Sequence, residues 1–208
     1  EDSAPLFQRV MARERSWPLS HFRTQQALYA SGRPEEAEDL IEEGLRRFPR
    51  RKDYWVGKIR HLTISGRLGE AMAFANDIAN LPATGVEPAI EFEIMIARTL
   101  ADGSTAARRS STEKLAAIAR GDASYLAHAT VGACLLGRLD TCFAMLDGFY
   151  FGRGEWAGGR ADPPETGFLF IASTEALRRD SRFPALVREI GLEDYWRATG
   201  TIPDFRRS

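Results

Sequence analysis

Four glycines, Gly32, Gly66, Gly103 and Gly137, are separated by 34, 37 and 34 residues. Their settings are Ser31-Gly32-Arg33, Ser65-Gly66-Arg67, Asp102-Gly103-Ser104 and Leu136-Gly137-Arg138. Each follows a stretch of helical periodicity and precedes another. Glycine ends a helix by taking the left-handed conformation that costs other residues a Cβ clash. A fixed period of this length reads as a series of helix–turn–helix hairpins. No segment shows sustained two-residue alternation bounded by hairpin signals, so strands are not expected. The fold class this implies is all-α.

The helix after Gly32 is the clearest. Pro34 suits its first turn, and Ala37, Leu40, Ile41, Gly44, Leu45 and Phe48 line one side. Acids lead and bases finish, which complements the helix dipole, and Pro49 ends it. In the second hairpin Trp55, Ile59 and Leu62 precede Gly66, while Leu68, Ala71, Met72, Ala75 and Ile78 follow it up to Pro82. The third predicts a helix from Glu87 to Leu100 carrying Phe92, Met95 and Ile96. Its return helix is expected to begin at a capping box, with Ser110 as N-cap and Glu113 three positions on. The fourth places Tyr125, Leu126, Ala129, Ala133 and Leu136 before Gly137, then Phe143, Leu146 and Phe149.

The series Gly32-Ala37-Pro49 and Trp55-Gly66-Ala71 resembles the tetratricopeptide repeat. Gln25 and Ile59 stand where that family has a small residue, and Arg108 and Cys142 replace its alanine. The resemblance implies a right-handed α-α superhelix of about four hairpins in one domain spanning 1–208. The hairpins would cover about 18–50, 52–82, 87–120 and 123–150, followed by a loop at 151–167 and a C-terminal helical cap at 168–206. The runs FYFGRGEW at 149–156, LRRDSRFPALVREIGLEDYW at 177–196 and PDF at 203–205 are similar to the tail of tetratricopeptide-like regions in bacterial winged-helix transcriptional regulators and adenylate-cyclase-like signalling proteins. This implies a non-catalytic protein-interaction and regulatory module, the sensor or scaffold part of a larger bacterial signalling protein.

The tail also has a physical reading. Gly152 to Gly167 is rich in Gly and Pro and reads as an exposed loop. Phe168 to Ile171 form an apolar run, Phe183, Leu186, Val187 and Ile190 a helix face, and Tyr195 with Trp196 an aromatic patch. The last hairpin of a solenoid exposes an apolar face that a terminal element must cover.

Composition narrows the functions. Lys plus Arg number 28 and Asp plus Glu 29, for a net charge of -1, which argues against a module built to grip nucleic acid. The stretch from Ala123 to Gly137, free of charged side chains for 15 residues, is shorter than the ~18 apolar residues of a membrane span. Cys134 and Cys142 cannot build a disulfide framework and read as small core residues. With an acidic start and no apolar leader, a reduced, cytoplasmic setting is expected. The chain opens on Glu1 rather than Met and reads as a piece of a longer protein.

Candidate chemistry is sparse. His21, His61 and His128 are each isolated from other metal ligands, so neither metal nor cofactor is expected. Gly152-Arg153-Gly154 lacks the strand and lysine of a phosphate loop. His128 and Cys134 are six apart on one helix and do not meet. No serine sits in a nucleophile elbow, and the chain is not expected to be an enzyme. Arg46, Arg47, Arg50, Arg51 and Lys52 form a basic cluster that reads as a solvated helix end.

In tetratricopeptide-like hairpins the first helices line a groove. Aligning on the glycines puts Phe22, Arg23, Gln26 and Tyr29 inward, then Asp53, Val56, Arg60 and Thr63, then Glu93 and Ala97, and finally His128 and Val131. Arg23, Gln26 and Arg60 would orient an acidic or polar segment of a protein or peptide partner, including an output domain of the same parent chain. Removing Arg23 and Arg60 together should then weaken binding and barely change the stability of the fold. Two alternatives stay open. One is a small-molecule sensor or enzyme with a pocket between hairpins, for which a buried polar cluster containing His128, Cys134 or His61 would be the sign. The other is self-association.

Overall fold

A computed structural model describes residues 24–25, 27–29, 32–85, 87–159 and 165–201. The regular structure among them is entirely helical. The chain divides into two compact units, one ending at Ser111 and the other running from Thr112.

In the first unit, residues 24–25 and 27–29 are helical. They precede α1 (Pro34–Arg47), α2 (Lys52–Ile64), α3 (Leu68–Asn76) and α4 (Pro88–Asp102). Helix α2 packs on α1, α3 and α4. Its Trp55, Ile59 and Leu62 form the core with Ala71, Ala75, Ile90 and Ala97. Trp55, Ile59, Leu62, Ala71 and Ala75 are among the apolar positions that the periodicity of the second hairpin marks.

The glycine period carries a common geometry. Gly32, Gly66, Gly103 and Gly137 take φ of 69°, 72°, 74° and 70°. At three of them the bonding pattern is the same. Arg33, Arg67 and Arg138 donate their amides to the carbonyls of Leu28, Leu62 and Ala133, while the glycine donates three residues back. This satisfies two carbonyls that the helix end would leave bare. Gly103 differs, donating four residues back to Thr99 at 3.1 Å.

That difference moves the next helix. Helix α5 (Thr105–Gly121) begins five residues before the capping box expected at Ser110. The Asp102 carboxylate accepts the Ser104 amide at 3.0 Å, and Ser104 Oγ accepts the Ala107 amide at 3.1 Å. Ser104 therefore does the capping, and the helix has already formed when the chain reaches Ser110.

The second unit, into which α5 continues, contains α6 (Leu126–Leu135), α7 (Leu139–Phe151), α8 (Glu175–Arg179), α9 (Phe183–Glu189) and α10 (Leu192–Thr199). Helices α6 and α7 form a hairpin about Gly137. Cys134 and Cys142 are both buried, as core cysteines should be, and are joined by a disulfide across that hairpin, with Cα atoms 5.7 Å apart. The turn, rather than any spacing along one helix, brings them together.

The stretch at 151–167 is mostly exposed where it is described, but it is not without structure. It makes a tight helical turn at Gly154–Gly159 that sets Trp156, 3% exposed, against Gly148 of α7. Beyond it Leu169, Leu177, Phe183, Leu186 and Val187 are buried, and α8 packs on α6 and α7. Arg182 fastens α9 to α7, lying over the Phe143 ring and reaching Asp140 at 2.9 Å.

Candidate functional site

Of the seven residues expected to form the partner groove, Phe22, Arg23 and Gln26 lie outside the described residues. The structure brings Arg60 and Glu93 together and places Tyr29 against His61. His128 belongs to the other unit, where it is the exposed position on the otherwise covered helix α6.

Arg60 leaves α2 and Glu93 leaves α4, and Nε of the arginine donates to Oε1 of the glutamate at 3.1 Å. A second bond runs from Nη2 to the same oxygen. Glu93 is only 5% exposed, and the Arg60 side chain 17%. The positive charge expected to meet an acidic partner is thus matched within the chain. Thr63, Ala97 and Val131 of the same stripe are also buried, and Asp53 and Val56 are half-buried. In the described residues these positions are covered more than open.

A larger cluster lies where α1, α2 and α3 meet. Glu38 of α1 accepts hydrogen bonds from Lys58 Nζ at 3.2 Å and from Arg67 Nη1 at 2.7 Å. Lys58 also bonds Glu42, and Arg67 reaches Glu70 at 2.7 Å. Burial works against the Glu38 carboxylate, but the hydrogen bonds from Arg67 and Lys58 outweigh it and hold its pKa below the ordinary value.

His61 points into this network. It is 3% exposed, and its Nε2 lies 3.1 Å from Glu38 Oε2. That is ion-pair distance, but the alignment falls short of a hydrogen bond, and Nδ1 has no hydrogen-bond partner either. The ring sits 5.6 Å from that of Tyr29, whose buried hydroxyl is also without a hydrogen-bond partner. Burial and the Arg67 charge push the His61 pKa down, with Glu70 opposing. The imidazole is therefore neutral at neutral pH, able to give or take one proton inside an ionic cluster.

Sequence reasoning missed this cluster because the contacts that α1 makes in it span 16 to 29 positions and Glu38 and Glu42 look like a solvated face of α1. One signal was present: Glu38 directly follows the buried Ala37, at the edge of the apolar stripe.

The arginines of the basic cluster are exposed, as at a solvated helix end, and Arg50 also serves as a joint. Arg50 Nε donates to the Leu81 carbonyl at 2.8 Å, and Ala83 N donates to the Arg50 carbonyl at 3.0 Å. Arg47 pairs with Glu43 at 2.7 Å, and Lys52 with Glu87 at 2.6 Å. Among the described residues no three His, Cys, Asp or Glu side chains gather at metal-binding distance, and no helix is long and apolar enough to cross a membrane. No protein-family model matches the chain, and neither curated proteins nor solved structures provide a match.

Proposed function

We propose that this chain is a protein-interaction and regulatory module, a tetratricopeptide-like stack of helical hairpins that belongs to a larger bacterial signalling or transcription-regulating protein. The observation that carries the reading is helix α10. Its Leu192, Tyr195, Trp196 and Thr199 share one face at helical spacing. None of its residues is buried, and Tyr195 stands 59% exposed. Trp196 lies edge-on to Phe170 at 6.2 Å, so one edge of the aromatic face is held in place. An exposed Tyr beside a half-buried Trp on a fixed frame presents residue types that dominate binding at interfaces.

A photo-reactive amino acid at position 195, introduced in the native cells, tests this. Capture of a discrete protein at that site, and none from the exposed Lys114, is the expected result. Equal labelling at both sites removes the support. Light scattering over a range of concentrations separates a foreign partner from a second copy of the chain.

The Tyr29–His61 pair favours a second reading, a small-molecule sensor with its site between hairpins. The buried His61 ring and the buried hydroxyl of the half-buried Tyr29, neither with a hydrogen-bond partner, offer donors and an acceptor to a small polar ligand. A thermal-shift screen of polar metabolites tests it. Any stabilising compound should lose its effect in both Tyr29→Phe and His61→Gln.

A further inference from the structure

We propose that the Cys134–Cys142 pair is a reversible redox lock on the α6–α7 hairpin, closed as a disulfide under oxidising conditions and opened by thiols, and that opening it loosens the turn at Gly137. This depends on neither reading of the function. The hairpin itself places the pair. Cys142 stands five residues after Gly137, where Ala37 and Ala71 follow Gly32 and Gly66, and all three are 0% exposed. Cys134 comes three residues before the same glycine and is also buried. The Cα atoms are 5.7 Å apart, a separation that suits a disulfide.

The turns at Gly32 and Gly66 are tied to the helix that follows them in another way. Arg33 holds Glu36 and Arg67 holds Glu70, each through two parallel hydrogen bonds to the carboxylate three residues on. After Gly137 that place belongs to Thr141, which has no charge, and Nε of Arg138 is buried without a hydrogen-bond partner. Asp140, the acid nearby, pairs with Arg182 before α9 instead. Surface ion pairs contribute little, whereas the bond at Gly137 is covalent and joins the helix before the turn to the helix after it. The third turn therefore depends on its side-chain link more than the first two do. When the link opens, the backbone bonds remain, from Arg138 to Ala133 at 2.8 Å and from Cys142 to Arg138 at 3.0 Å. The hairpin also carries the C-terminal segment: Trp156 rests against Gly148 of α7, and α8 packs on α6 and α7.

The chemistry is thiol–disulfide exchange with a low-molecular-weight disulfide, for which oxidised glutathione is the probe. In closing, the sulfur–sulfur bond of glutathione breaks and the Cys134–Cys142 bond forms. The two electrons given up by the cysteine sulfurs and their two protons leave on two molecules of reduced glutathione. Opening is the same exchange in reverse. Both cysteines are buried, so exchange takes place when the end of the hairpin parts. A cross-link between positions 8 apart raises the folding constant by up to about a hundredfold.

The purified chain is equilibrated in glutathione buffers running from fully reduced to fully oxidised, quenched with acid and alkylated under denaturing conditions. Mass spectrometry should show two alkylated thiols giving way to none, and returning when the series is reversed. Two thiols in the fully oxidised buffer overturn the proposal, because no bond forms. No thiol in the fully reduced buffer overturns it as well, because the bond is then permanent. Amide exchange by NMR next compares the two forms. Protection at Arg138 and Cys142 should fall about tenfold or more on reduction, while Arg67 and Ala71, at the same positions of the second hairpin, stay level. A fall at neither pair, or an equal fall at both, also overturns it. Cys142→Ala, which puts the residue of the other two hairpins at this position, should exchange like the reduced chain in every buffer. If its protection still follows the glutathione, the thiol acts elsewhere and the lock is not this pair.

Discussion

The Gln25 side chain occupies the space that Gly57 leaves open on the neighbouring helix. Gln25 is buried, and its Nε2 lies 3.5 Å from the Gly57 carbonyl oxygen, the outer limit of a hydrogen bond. A Cβ on Gly57 would stand 2.7 Å from Gln25 Oε1. The bulk of Gln25 is accommodated because the residue facing it on α2 has no side chain.

Gly57→Ala is a balanced case. Alanine in the middle of α2 gains about 1 kcal/mol of helix propensity. The atoms in its way are the far end of one side chain, which can withdraw at the expense of a weak hydrogen bond of about 1 kcal/mol. Chemical denaturation should place the variant within about 1 kcal/mol of the parent. In Gln25→Ala, where nothing has to withdraw, the same substitution should be stabilising.

Gly148→Ala should behave in the opposite way. There the added Cβ meets the Cβ, carbonyl carbon and carbonyl oxygen of Trp156, and backbone cannot step aside as an amide tip can. The turn at Gly154–Gly159 would have to move and take a buried tryptophan with it. A loss of about 2–3 kcal/mol is expected, visible as an earlier denaturation midpoint and a red-shifted tryptophan emission. An unchanged midpoint would mean that Trp156 does not rest on Gly148.

Arg60→Ala should destabilise the fold rather than leave it intact. Removing the guanidinium strands a buried Glu93 carboxylate, and breaking such a pair typically costs about 3–5 kcal/mol. Replacing both partners by apolar residues, Arg60→Met with Glu93→Leu, should recover most of that loss, since an apolar pair avoids the desolvation of two charges. If the single variant unfolds at the parent's denaturant concentration, the pair is solvated and Arg60 is available to a partner after all.

How far the sequence foretold the structure depends on how local each cause is. Gly66 and Gly137 were legible because a left-handed turn is almost reserved for glycine, so the residue announces its backbone. Trp55, Ile59 and Leu62 were legible through helical period. Ser110 misled because Ser104 could cap just as well, and only the Asp102–Ser104 contact decides between them. The Glu38–His61–Arg67 cluster was not legible, because it needs three helices in register and each member alone looks like solvated charge. Cys134 and Cys142 were read from their number alone as core residues, which they are, whereas the turn at Gly137 brings them within reach of each other. Arg50 was read as part of a basic patch, although its backbone φ of 63° and its bonds to Leu81 and Ala83 make it the corner of a turn.

Two truncations separate covering from docking in the C-terminal segment. Ending the chain before Gly167 removes Leu169, Leu177, Phe183 and Val187, all buried, and takes Phe168 away from the rings of Phe149 and Tyr150, 5.3 Å and 6.3 Å distant. Each such side chain contributes about 1.5–3 kcal/mol by burial, so their joint loss is comparable with the whole stability of an ordinary domain, and that variant should aggregate. Ending the chain after Gly191 removes α10, which has no buried residue, and gives up its packing on α9, the Arg188–Glu193 pair at 3.3 Å and the edge contact of Trp196 with Phe170. That variant should stay soluble, with a midpoint within a few degrees of the parent, while losing whatever Tyr195 captures. Aggregation of both variants alike would mean that α10 covers core, and its exposed aromatic face would no longer be available to a partner.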